Sequence, residues 1–469
     1  TFCFLASNKQ VNATPTSDII NVGDDIMITP PLFINSCIKS INSSGYDAFL
    51  VGGWVRDALL GIESMDFDIC TSAHPDIIKE LFNHEDLNLQ AQSLGSVSFI
   101  HEDMNIEFTT YRKEWDYTNG RHPNEIEFVN NLKTDLLRRD FTINTICYHP
   151  TEGVIDLLGG VNDLEAGVLR MVGDPGVRLN EDLLRIVRLF RFKAQLGFEI
   201  EESLLKSAYA LSPKLMSLPP QSWRKEFFKL LLSDYFLPVA LDDYFILGAL
   251  IPDLGLAHEF DQLNPYHSYS LYEHSVRVCA LLPKRLDLRI AGLFHDLGKL
   301  RVQVIDEDGI GHYRTHASVS REIMLEYLPQ FELGNKMNAW ILDLIQYHDY
   351  KLEESRQSIY AFTYRFGEAF LRDLLLLKIA DNTTKTELAA YQVERCAVFS
   401  SLLDEVVNLP LVVSNLMIGN DDVLALGVPQ NKVGKVLKTV LDNLVAGDVD
   451  NERDLQLREL KKVINNGIY

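Results

Sequence analysis

The spacing of apolar residues divides the chain into a first part with strand-like runs and a second part with helical periodicity. Short β-type runs separated by turn residues predict strands at 47–52, 66–70, 96–101, 105–110 and 126–129. From about residue 175 onward, apolar residues recur at helical spacing, which indicates amphipathic helices. The predicted helices span 181–194, 203–210, 224–232, 286–298, 317–328, 336–348, 359–380 and 387–407. The pattern therefore predicts a small α/β head followed by a long helical body.

Length and composition are those of a soluble globular protein with several modules. At 469 residues the chain is too long for one ordinary core, and 46% of its residues are hydrophobic and 23% charged. No apolar run is long enough to cross a bilayer. Six scattered cysteines without a C-x-x-C pair favour free thiols in a reducing cytoplasm. We expect a cytoplasmic protein with no membrane contact, no obligate protein partner and a flexible polar leader at 1–29.

The strong acidity of the chain limits the nucleic-acid contacts that it can make. The formal net charge is −22, which argues against a general nucleic-acid coat protein. Residues 170–230 nevertheless carry eleven Lys and Arg against seven Asp and Glu. We therefore expect one local basic groove in an otherwise acidic protein.

Residues 49–68, with the sequence FLVGGWVRDALLGIESMDFD, carry the strongest chemical signal. An apolar run ends at Gly52 and Gly53, and a helix-like segment with Arg56 and Asp57 follows. Glycines before a helix let backbone N–H groups approach a phosphate closely. This part of the motif predicts a phosphate-binding turn.

The second part of the motif carries paired carboxylates. Asp66 and Asp68 are two apart on a predicted strand, so both side chains lie on one face and can hold Mg²⁺. Glu107, on another predicted strand, is the candidate for the third carboxylate of a two-metal centre. A D-x-D alone more often marks a turn or a solvated edge. The glycine-containing segment at this distance favours metal-dependent nucleotide transfer instead.

A second cluster lies in LLRRDFTINTI, 136–146. Arg139, Asp140 and Asn144 could grip the ribose and phosphate of a nucleotide through charge-assisted hydrogen bonds. The alternative is an ordinary surface ion pair, worth about 0–1 kcal/mol. The neighbouring apolar residues make that alternative weaker.

A third cluster lies in EDLLRIVRLFRF, 181–192. Asp182 and Arg185 are three apart on a predicted helix, and such a pair could read the edge of C or A and reject U and G. Arg188 and Arg191 continue the spacing, but Arg191 faces nearly away from Asp182 and would contact RNA phosphate or a structural acid. The alternative is an amphipathic helix with solvated charges.

These motifs resemble those of class II nucleotidyltransferases that build the CCA end of tRNA, and of bacterial poly(A) polymerases. The resemblance covers roughly 31–469. The matching motifs are GG-x-V-R-D at 52–57, D-x-D at 66–68, RRDFT-x-N at 138–144, D-x-x-G-G at 156–160 and E-D-x-x-R at 181–185. Residues 111–121 resemble the family's flexible loop, which helps to switch specificity from C to A, and 223–226 resemble the helical element that steadies the base-reading pair.

The resemblance implies an α+β fold. A nucleotidyltransferase α/β head with a mainly antiparallel sheet is followed by an elongated, all-helical neck, body and tail. The implied domains are a leader at 1–29, a catalytic head at 30–165, a neck with the base-reading pair at 166–260, an HD-type body at 261–385 and a tRNA-binding tail at 386–469.

The resemblance also implies the reaction, which is template-independent addition of C, C and A to a tRNA lacking its 3′ CCA end, from CTP and ATP, with release of pyrophosphate. Asp66 and Asp68 would hold two Mg²⁺ ions. Gly53 and Arg56 would contact the triphosphate, and Arg139 would hold the nucleotide from the far side.

The helical part carries a second metal-type pattern, in which His274 precedes His295-Asp296 and Asp381 follows. This order resembles the HD phosphohydrolase family, and His with Asp suits a transition metal such as Mn, Ni, Fe or Co better than Mg²⁺. His316 and His348 could complete a second ion position. A lone helical His is usually a core residue, but an adjacent His-Asp in this order favours a metal site. The resemblance to the HD family implies a phosphohydrolase side activity at that site.

Several functions share these motifs. The nearest alternative is a poly(A) polymerase or an enzyme that adds only A or only CC, and the presence of 111–121 argues against the CC-adding form. A different class would be an HD metal phosphohydrolase that uses the head as an RNA-binding module. A non-enzymatic RNA scaffold is disfavoured by the intact set of carboxylates.

Overall fold

The computed structural model describes residues 28–118, 122–410 and 412–467. It contains two compact units, one ending at Leu218 and the other beginning at Pro219. This boundary lies inside the predicted neck, 166–260. The predicted leader up to residue 27, and residues 119–121 of the predicted flexible loop, lie outside the described residues.

The first unit combines short strands with short helices. Its strands are β1 (Ala48–Val51), β2 (Asp66–Thr71), β3 (Ser96–His101), β4 (Met104–Thr110), β5 (Arg112–Thr118), β6 (His122–Phe128), β7 (Cys147–His149), β8 (Gly153–Ile155), β9 (Val168–Leu169) and β10 (Glu199–Ile200). Its helices are α1 (Leu32–Ser43), α2 (Gly53–Leu59), α3 (Pro75–Leu81), α4 (Leu132–Leu137), α5 (Gly160–Glu165), α6 (Pro175–Glu181), α7 (Leu184–Leu196) and α8 (Glu202–Leu211).

The main sheet of the first unit has six strands in the order β3-β4-β2-β1-β7-β8. Neighbouring strands are antiparallel except β2 and β4, which are parallel, so the predicted mainly antiparallel sheet is confirmed. The predicted strands at 47–52, 66–70, 96–101 and 105–110 are confirmed as β1 to β4. The polar strand β5 was not predicted; it lies within 111–121, the segment expected to be a flexible loop. It forms a hairpin with β6, which contains most of the predicted strand at 126–129.

The alternation of apolar and polar residues along β2 decides which groups face solvent. Phe67 and Ile69 are at most 1% exposed, whereas Asp66 and Asp68 on the opposite face are exposed. Cys70, further along β2, belongs to a buried cluster with Val51 of β1. Because Cys70 shares a face with Asp66 and Asp68, that face is exposed at the two carboxylates and covered further along β2, whereas the opposite face is buried.

The D-x-x-G-G motif at 156–160 shapes the turn into α5. The Asp156 carboxylate accepts hydrogen bonds from the backbone N–H groups of Leu158, Gly160 and Val161 at 2.9–3.1 Å. Gly159 adopts φ +79°, which favours glycine. A Cβ on Gly160 would lie 2.3 Å from the carbonyl oxygen of Thr142, so only glycine lets α5 approach the 138–144 segment this closely.

In its described residues, the second unit is helical apart from one very short hairpin. Its helices are α9 (Pro220–Leu231), α10 (Phe236–Asp242), α11 (Phe245–Leu250), α12 (Pro252–Ala257), α13 (Leu271–Leu281), α14 (Leu286–Phe294), α15 (Lys299–Val302), α16 (His316–Phe331), α17 (Asn335–Tyr347), α18 (Arg356–Phe366), α19 (Glu368–Thr383), α20 (Ala390–Val406), α21 (Asn420–Leu424), α22 (Val433–Ala446) and α23 (Arg453–Asn465). The hairpin consists of β11 (Val304–Ile305) and β12 (Gly311–His312).

One helix prediction in this unit is wrong. The expected single helix at 359–380 is divided into α18 and α19 at Gly367, whose φ of +86° is incompatible with a right-handed helix. The apolar periodicity continues across the break because both helices bury one face, so periodicity alone did not reveal it. Among the described residues, no helix is long and apolar enough to span a bilayer.

We expect Gly160→Ala to lower the free energy of unfolding by about 2–3 kcal/mol, because the added methyl group would force α5 away from Thr142. Gly434→Ala is the matched control, since a Cβ there meets nothing within 4 Å in helix α22. Denaturant unfolding of both variants tests this. Equal stability of the two variants would show that the Gly160 contact is not a constraint.

Candidate active site and metal centre

The parallel pairing of β2 with β4 brings the predicted carboxylates together. Asp68 lies directly opposite Glu107, and Asp66 lies opposite Asn105. The Asn105 side-chain amide donates to the Asp66 carboxylate at 3.3 Å. Since Asp66 and Asp68 share a face and parallel partners in register project to the same side, the strands place three acids beside one another.

Two of these acids, Asp68 and Glu107, border a cleft of about 260 Å³. The residues that line it are Asp68, Ile69, Ser96, Glu107, Thr109, Arg112, Arg138 and Arg139. Carboxylates on one side suit a divalent cation, and guanidinium groups on the other suit phosphate oxygens. The cleft can therefore accommodate a metal–polyphosphate complex.

The cleft changes the acidity of Asp68. Asp68 is exposed to solvent, but the surrounding walls restrict the hydration of its carboxylate. This desolvation, together with the charges of Glu107 and Asp66, raises the pKa of Asp68 to about 6, against the opposing effect of Arg139. The carboxylates repel one another, and a bound cation would relieve that repulsion.

The predicted glycine turn lies at the edge of the same cleft. Val51 pairs with Asp68, so the chain leaves β1 beside this carboxylate. Gly52 has φ +81°, and a Cβ built on it would lie 3.5 Å from both Asp68 Oδ2 and Arg139 Nη1. Gly53 then begins α2. The sequence prediction that this turn and the D-x-D share one site is consistent with this geometry.

Arg56 occupies a different position from the one expected of a triphosphate contact. It is 3% exposed and donates from Nε and Nη2 to Asp57 Oδ1 at 2.8 and 2.6 Å. Its Nη1 donates to Asn144 Oδ1 at 2.7 Å. In this structure Arg56 therefore holds the 138–144 segment in place through Asn144.

The same hydrogen-bond chain reaches helix α7. Asn144 donates to Asp140 at 3.0 Å, and Arg188 of α7 donates from Nε to Asp140 at 2.8 Å. Burial opposes the charge of Asp140, but Arg188 and the hydrogen bond from Asn144 hold the pKa of Asp140 well below its usual value. The residues predicted separately in the first and third motifs thus form one buried network.

The prediction that Asp182 and Arg185 lie on the same helix is wrong. Asp182 does not lie on a helix with Arg185; it is in an extended conformation between α6 and α7. Its carboxylate accepts from the backbone N–H of Leu184 at 3.0 Å, and Arg185 donates to the carbonyl oxygen of Arg178 at 2.7 Å. A carboxylate that bonds the next backbone N–H groups favours a helix start over a helix interior.

Arg191 is buried, which contradicts the alternative in which the charges of this helix are solvated. It is 5% exposed, its guanidinium lies 3.4 Å from the centre of the Phe192 ring, and it donates to Gln195 at 2.9 Å. Arg56 and Arg188 also lie against this ring, at 4.9 and 5.5 Å. These arginines stabilise the α7 packing through cation–π contacts.

Sequence reasoning missed a second acidic layer behind the cleft. Asp135 is fully buried and accepts from Arg138 Nε at 2.9 Å and from the backbone N–H of Arg112 at 3.2 Å. Glu114 accepts from Arg112 Nε at 2.7 Å and from Arg138 at 3.3 Å. The adjacent arginines Arg138 and Arg139 indicated that at least one acidic partner would lie nearby. Nothing in the spacing indicated which acids would supply it.

In the second unit, the HD pattern forms a buried cluster. His274, His295, Asp296 and Asp381 bring their ligand atoms within 4.8 Å of one another. His274 Nε2 lies 3.3 Å from Asp296 Oδ2 and 3.2 Å from Asp381 Oδ1. Among the described residues, Asp381 Oδ1 is buried and lacks a hydrogen bond of good geometry, although His274 Nε2 lies nearby. The donor set fits a divalent metal ion.

Asp296 also belongs to a second group, with His316 and His348. Its Oδ1 lies 3.2 Å from His316 Nε2 and 3.3 Å from His348 Nε2. One carboxylate thus faces both groups through different oxygens. All the residues predicted for the second site come together in the structure.

Backbone hydrogen bonds orient the imidazole rings. The Nδ1 atoms of His295, His316 and His348 lie 2.8, 2.8 and 2.7 Å from carbonyl oxygens. This leaves each Nε2 directed towards the carboxylates, which is the usual arrangement of histidine ligands. Lys299 and Lys385 each lie 2.7 Å from one of the aspartates.

The electrostatics of the cluster reflect buried carboxylates that need a cation. Burial opposes a charge on His295, yet Asp296 and Asp381 raise the pKa of His295 to about 9. Burial lowers the pKa of His348 to about 4. A proton on His295 balances the acids, and a divalent ion would displace it.

Two family models match the chain. Residues 48–170 match the poly A polymerase head domain, and residues 266–386 match the HD domain. The first covers the main sheet and the cleft, and the second covers both histidine–aspartate groups. The chain therefore carries both kinds of domain, in the order that the sequence predicted.

Curated relatives and solved structures agree with this assignment. The CCA-adding enzyme of Enterococcus faecalis is 43% identical over 196 residues, 42% of this chain and 48% of that protein. The Leuconostoc mesenteroides CCA-adding enzyme is 41% identical over 206 residues, 43% of this chain and 51% of that protein. The chain thus spans about half the length of the curated relatives that it matches.

The structural similarity extends further along the chain. The Bacillus stearothermophilus CCA-adding enzyme in complex with CTP has a TM-score of 0.62 at 23% identity, covering 94% of this chain and 99% of that one. The Thermotoga maritima CCA-adding enzyme complexed with tRNA has a TM-score of 0.57 at 19% identity, covering 93% and 97%. These similarities establish the fold.

We expect Asp140→Ala to lower the free energy of unfolding by about 3 kcal/mol, because it leaves Arg188 and Asn144 without their buried partner. Glu202→Ala is the control, since it removes an ion pair with Lys206 whose side chains are 80% and 73% exposed and costs about 0–1 kcal/mol. Urea unfolding measures both. A loss for Asp140→Ala as small as that of the control would contradict a stabilising network.

Proposed function

We propose that this chain, which carries a poly A polymerase head domain and an HD domain, is a nucleotidyltransferase that adds C, C and A to the 3′ end of tRNA. The observation that carries the proposal is the register of β2 and β4, which sets Asp68 opposite Glu107 beside the Gly52 turn. A cleft with acids on one side and arginines on the other fits a nucleoside triphosphate with its metal ions.

In the proposed reaction the 3′-hydroxyl of tRNA attacks the α-phosphate of CTP or ATP, and pyrophosphate leaves. Asp66, Asp68 and Glu107 would hold Mg²⁺, which supplies charge neutralisation and activation of the hydroxyl when bound. Arg139, at the edge of the cleft with Nη1 near Gly52, is placed to bind triphosphate oxygens. Asp135 keeps Arg139 in position across 3.5 Å.

Base selection is assigned to the start of α7. Asp182 and Arg185 remain the predicted base-reading residues, although Asp182 precedes the helix. The tRNA partner, the tRNA-binding tail at 386–469 and a cytoplasmic location are further parts of the proposal.

Nucleotide incorporation should depend on the paired acids. We expect Asp68→Ala to reduce the incorporation of CTP and ATP into tRNA lacking its CCA end by about 10³-fold or more, since it removes a metal ligand at the reacting phosphate. Asp76→Ala is the control, because Asp76 is an exposed acid in α3. Incorporation is measured with labelled nucleotides, and the products are sequenced.

Products of that assay separate the proposed activity from its nearest rival. Addition of C, C and A in order supports the proposal. Long tracts of A alone would indicate a poly(A) polymerase. Incorporation by Asp68→Ala at the rate of the parent enzyme would overturn the proposed site itself.

We also propose that the HD cluster holds two transition-metal ions and hydrolyses a phosphate ester. The observation that favours this is Asp296, whose two oxygens face separate groups of histidines. Mixed nitrogen and oxygen donors suit Mn, Fe, Co or Ni. When bound, the ions would supply Lewis-acid activation for attack by water.

Removal of the shared ligand should empty both positions. We expect Asp296→Asn to reduce the retained metal by about tenfold or more relative to the parent protein, because an amide is a much weaker ligand than a carboxylate. Metal content after dialysis is measured by mass spectrometry. Asp306→Asn, at an exposed residue outside the cluster, is the control.

The metal-content experiment on Asp296→Asn can fail independently of the incorporation assay on Asp68→Ala. Asp296→Asn should keep the incorporation of CTP and ATP into tRNA. Metal content equal in parent and variant would contradict the proposed metal centre. Loss of nucleotide incorporation in this variant, with its fold intact, would favour the view that the HD cluster is the main catalytic site.

A further inference from the structure

A cavity of about 350 Å³ in the second unit lies outside both sites described above. It is bordered by the start of α10, the helices α13 and α14, and the end of α19. Three of its lining residues are basic, namely Arg277, Lys284 and Arg289, and Asp234 is the acid among them. The cavity is therefore a candidate for an anionic ligand.

Arg289 is the residue that makes this cavity unusual. It is 5% exposed, and its guanidinium donates through Nε to the carbonyl oxygen of Pro283 at 3.2 Å. The guanidinium also contacts the Cys279 side chain, and among the described residues Arg289 has no ion pair with a carboxylate. A guanidinium stays charged at all ordinary pH values, and a buried charge without a counter-charge is costly.

Two other arginines of similar burial each have a carboxylate partner. Arg56, at 3% exposed, is paired with Asp57 at 2.6 Å. Arg185, at 5% exposed, is paired with Glu181 at 3.3 Å. Arg289 differs from both of them and lies at the wall of a cavity, where an anion that enters the cavity would supply a counter-charge.

The neighbouring cations are held by acids, which leaves Arg289 as the anchor. Arg277 donates to Glu273 at 2.7 Å, and Lys284 pairs with Asp234. Lys284 and Asp234 have side chains that are 46% and 71% exposed, so their ion pair is weak. An anion bound to Arg289 could recruit Lys284 from that pair.

The remaining walls of the cavity are suited to an apolar or aromatic group. Phe236, Leu237 and Leu281 line it together with Tyr269. A cavity of this volume, lined by both cations and apolar side chains, fits a phosphate attached to a flat organic group. A mononucleotide has this combination.

A threonine separates the cavity from the metal centre. Thr384 lines the cavity, and its hydroxyl donates to the carbonyl oxygen of Asp381 at 2.8 Å. The same hydroxyl must therefore accept from His274 Nδ1 at 3.0 Å, because a hydroxyl has one proton. The His274 ring presents Nε2 to the metal ligands on its other side. The cavity is thus a separate site behind the metal centre.

We propose that this cavity binds a phosphorylated small molecule of mononucleotide size, with the phosphate at Arg289. The guanidinium supplies charge-assisted hydrogen bonds to phosphate oxygens. Lys284 adds a second cation, and the apolar wall covers the organic group. This inference does not depend on the nucleotidyl-transfer reaction or on metal binding.

The test is titration of the full chain with AMP, inorganic phosphate and adenosine, with and without a metal chelator, followed by calorimetry. We expect AMP to bind most tightly, phosphate to compete with it, and the chelator to leave binding unchanged. Arg289→Gln should weaken AMP binding by about tenfold or more, because it removes a charged hydrogen-bond donor. Arg372→Gln, at an exposed ion-paired arginine of α19, should not change it.

Variants distinguish this cavity from the other phosphate sites. Lys284→Gln changes a half-exposed side chain and should weaken AMP binding severalfold, so it carries the test if Arg289→Gln fails to fold. The proposal is overturned if AMP does not bind or if it binds equally to both variants. It is also overturned if binding is lost in Arg139→Gln, which would place AMP in the head cleft, or lost with the chelator, which would place it at the metal centre.

Discussion

The register between β2 and β4 is the constraint on which the head site depends. Parallel pairing sets Asp68 opposite Glu107, and the antiparallel pairing on the other side of β2 sets Val51 opposite the same residue. Asp68 therefore lies beside a carboxylate of β4 on one side and beside the glycine turn that follows β1 on the other. A slip of one residue would turn Asp68 into the core and bring Phe67 to the surface. The buried apolar residues of β2 therefore hold the chemistry in place.

A chain of buried charges extends this constraint to α7. Arg56, Asn144, Asp140 and Arg188 are joined by hydrogen bonds of 2.7–3.0 Å. Each charge in this chain has a partner, so burial costs less than it would for isolated groups. Hydrogen bonds therefore link α7, near whose start the predicted base-reading residues lie, to the 138–144 segment.

The two proposed metal sites of the chain differ in how completely the protein side chains enclose them. Among the described residues, the groups whose ligand atoms come within 4.8 Å of one another are those of the HD domain. The head acids are spread along neighbouring strands, and hard cations there would take further oxygen ligands from water or phosphate. A strand pair can offer few ligands to one ion, whereas helices that converge on Asp296 can enclose one.

Sequence by itself determined the local chemistry of this protein. The i, i+2 spacing of Asp66 and Asp68 was enough to place both on one strand face, because side chains alternate along any strand. The order His274, His295-Asp296, Asp381 was enough to indicate a metal cluster, because these residue types have few other reasons to recur in that pattern. Only the tertiary structure decided that Asp135 and Glu114 stand behind the arginines, that Asp182 precedes its helix, and that Arg289 is buried at a cavity wall. Those facts depend on which distant segments pack together, and periodicity carries no information about partners that are far apart in the chain.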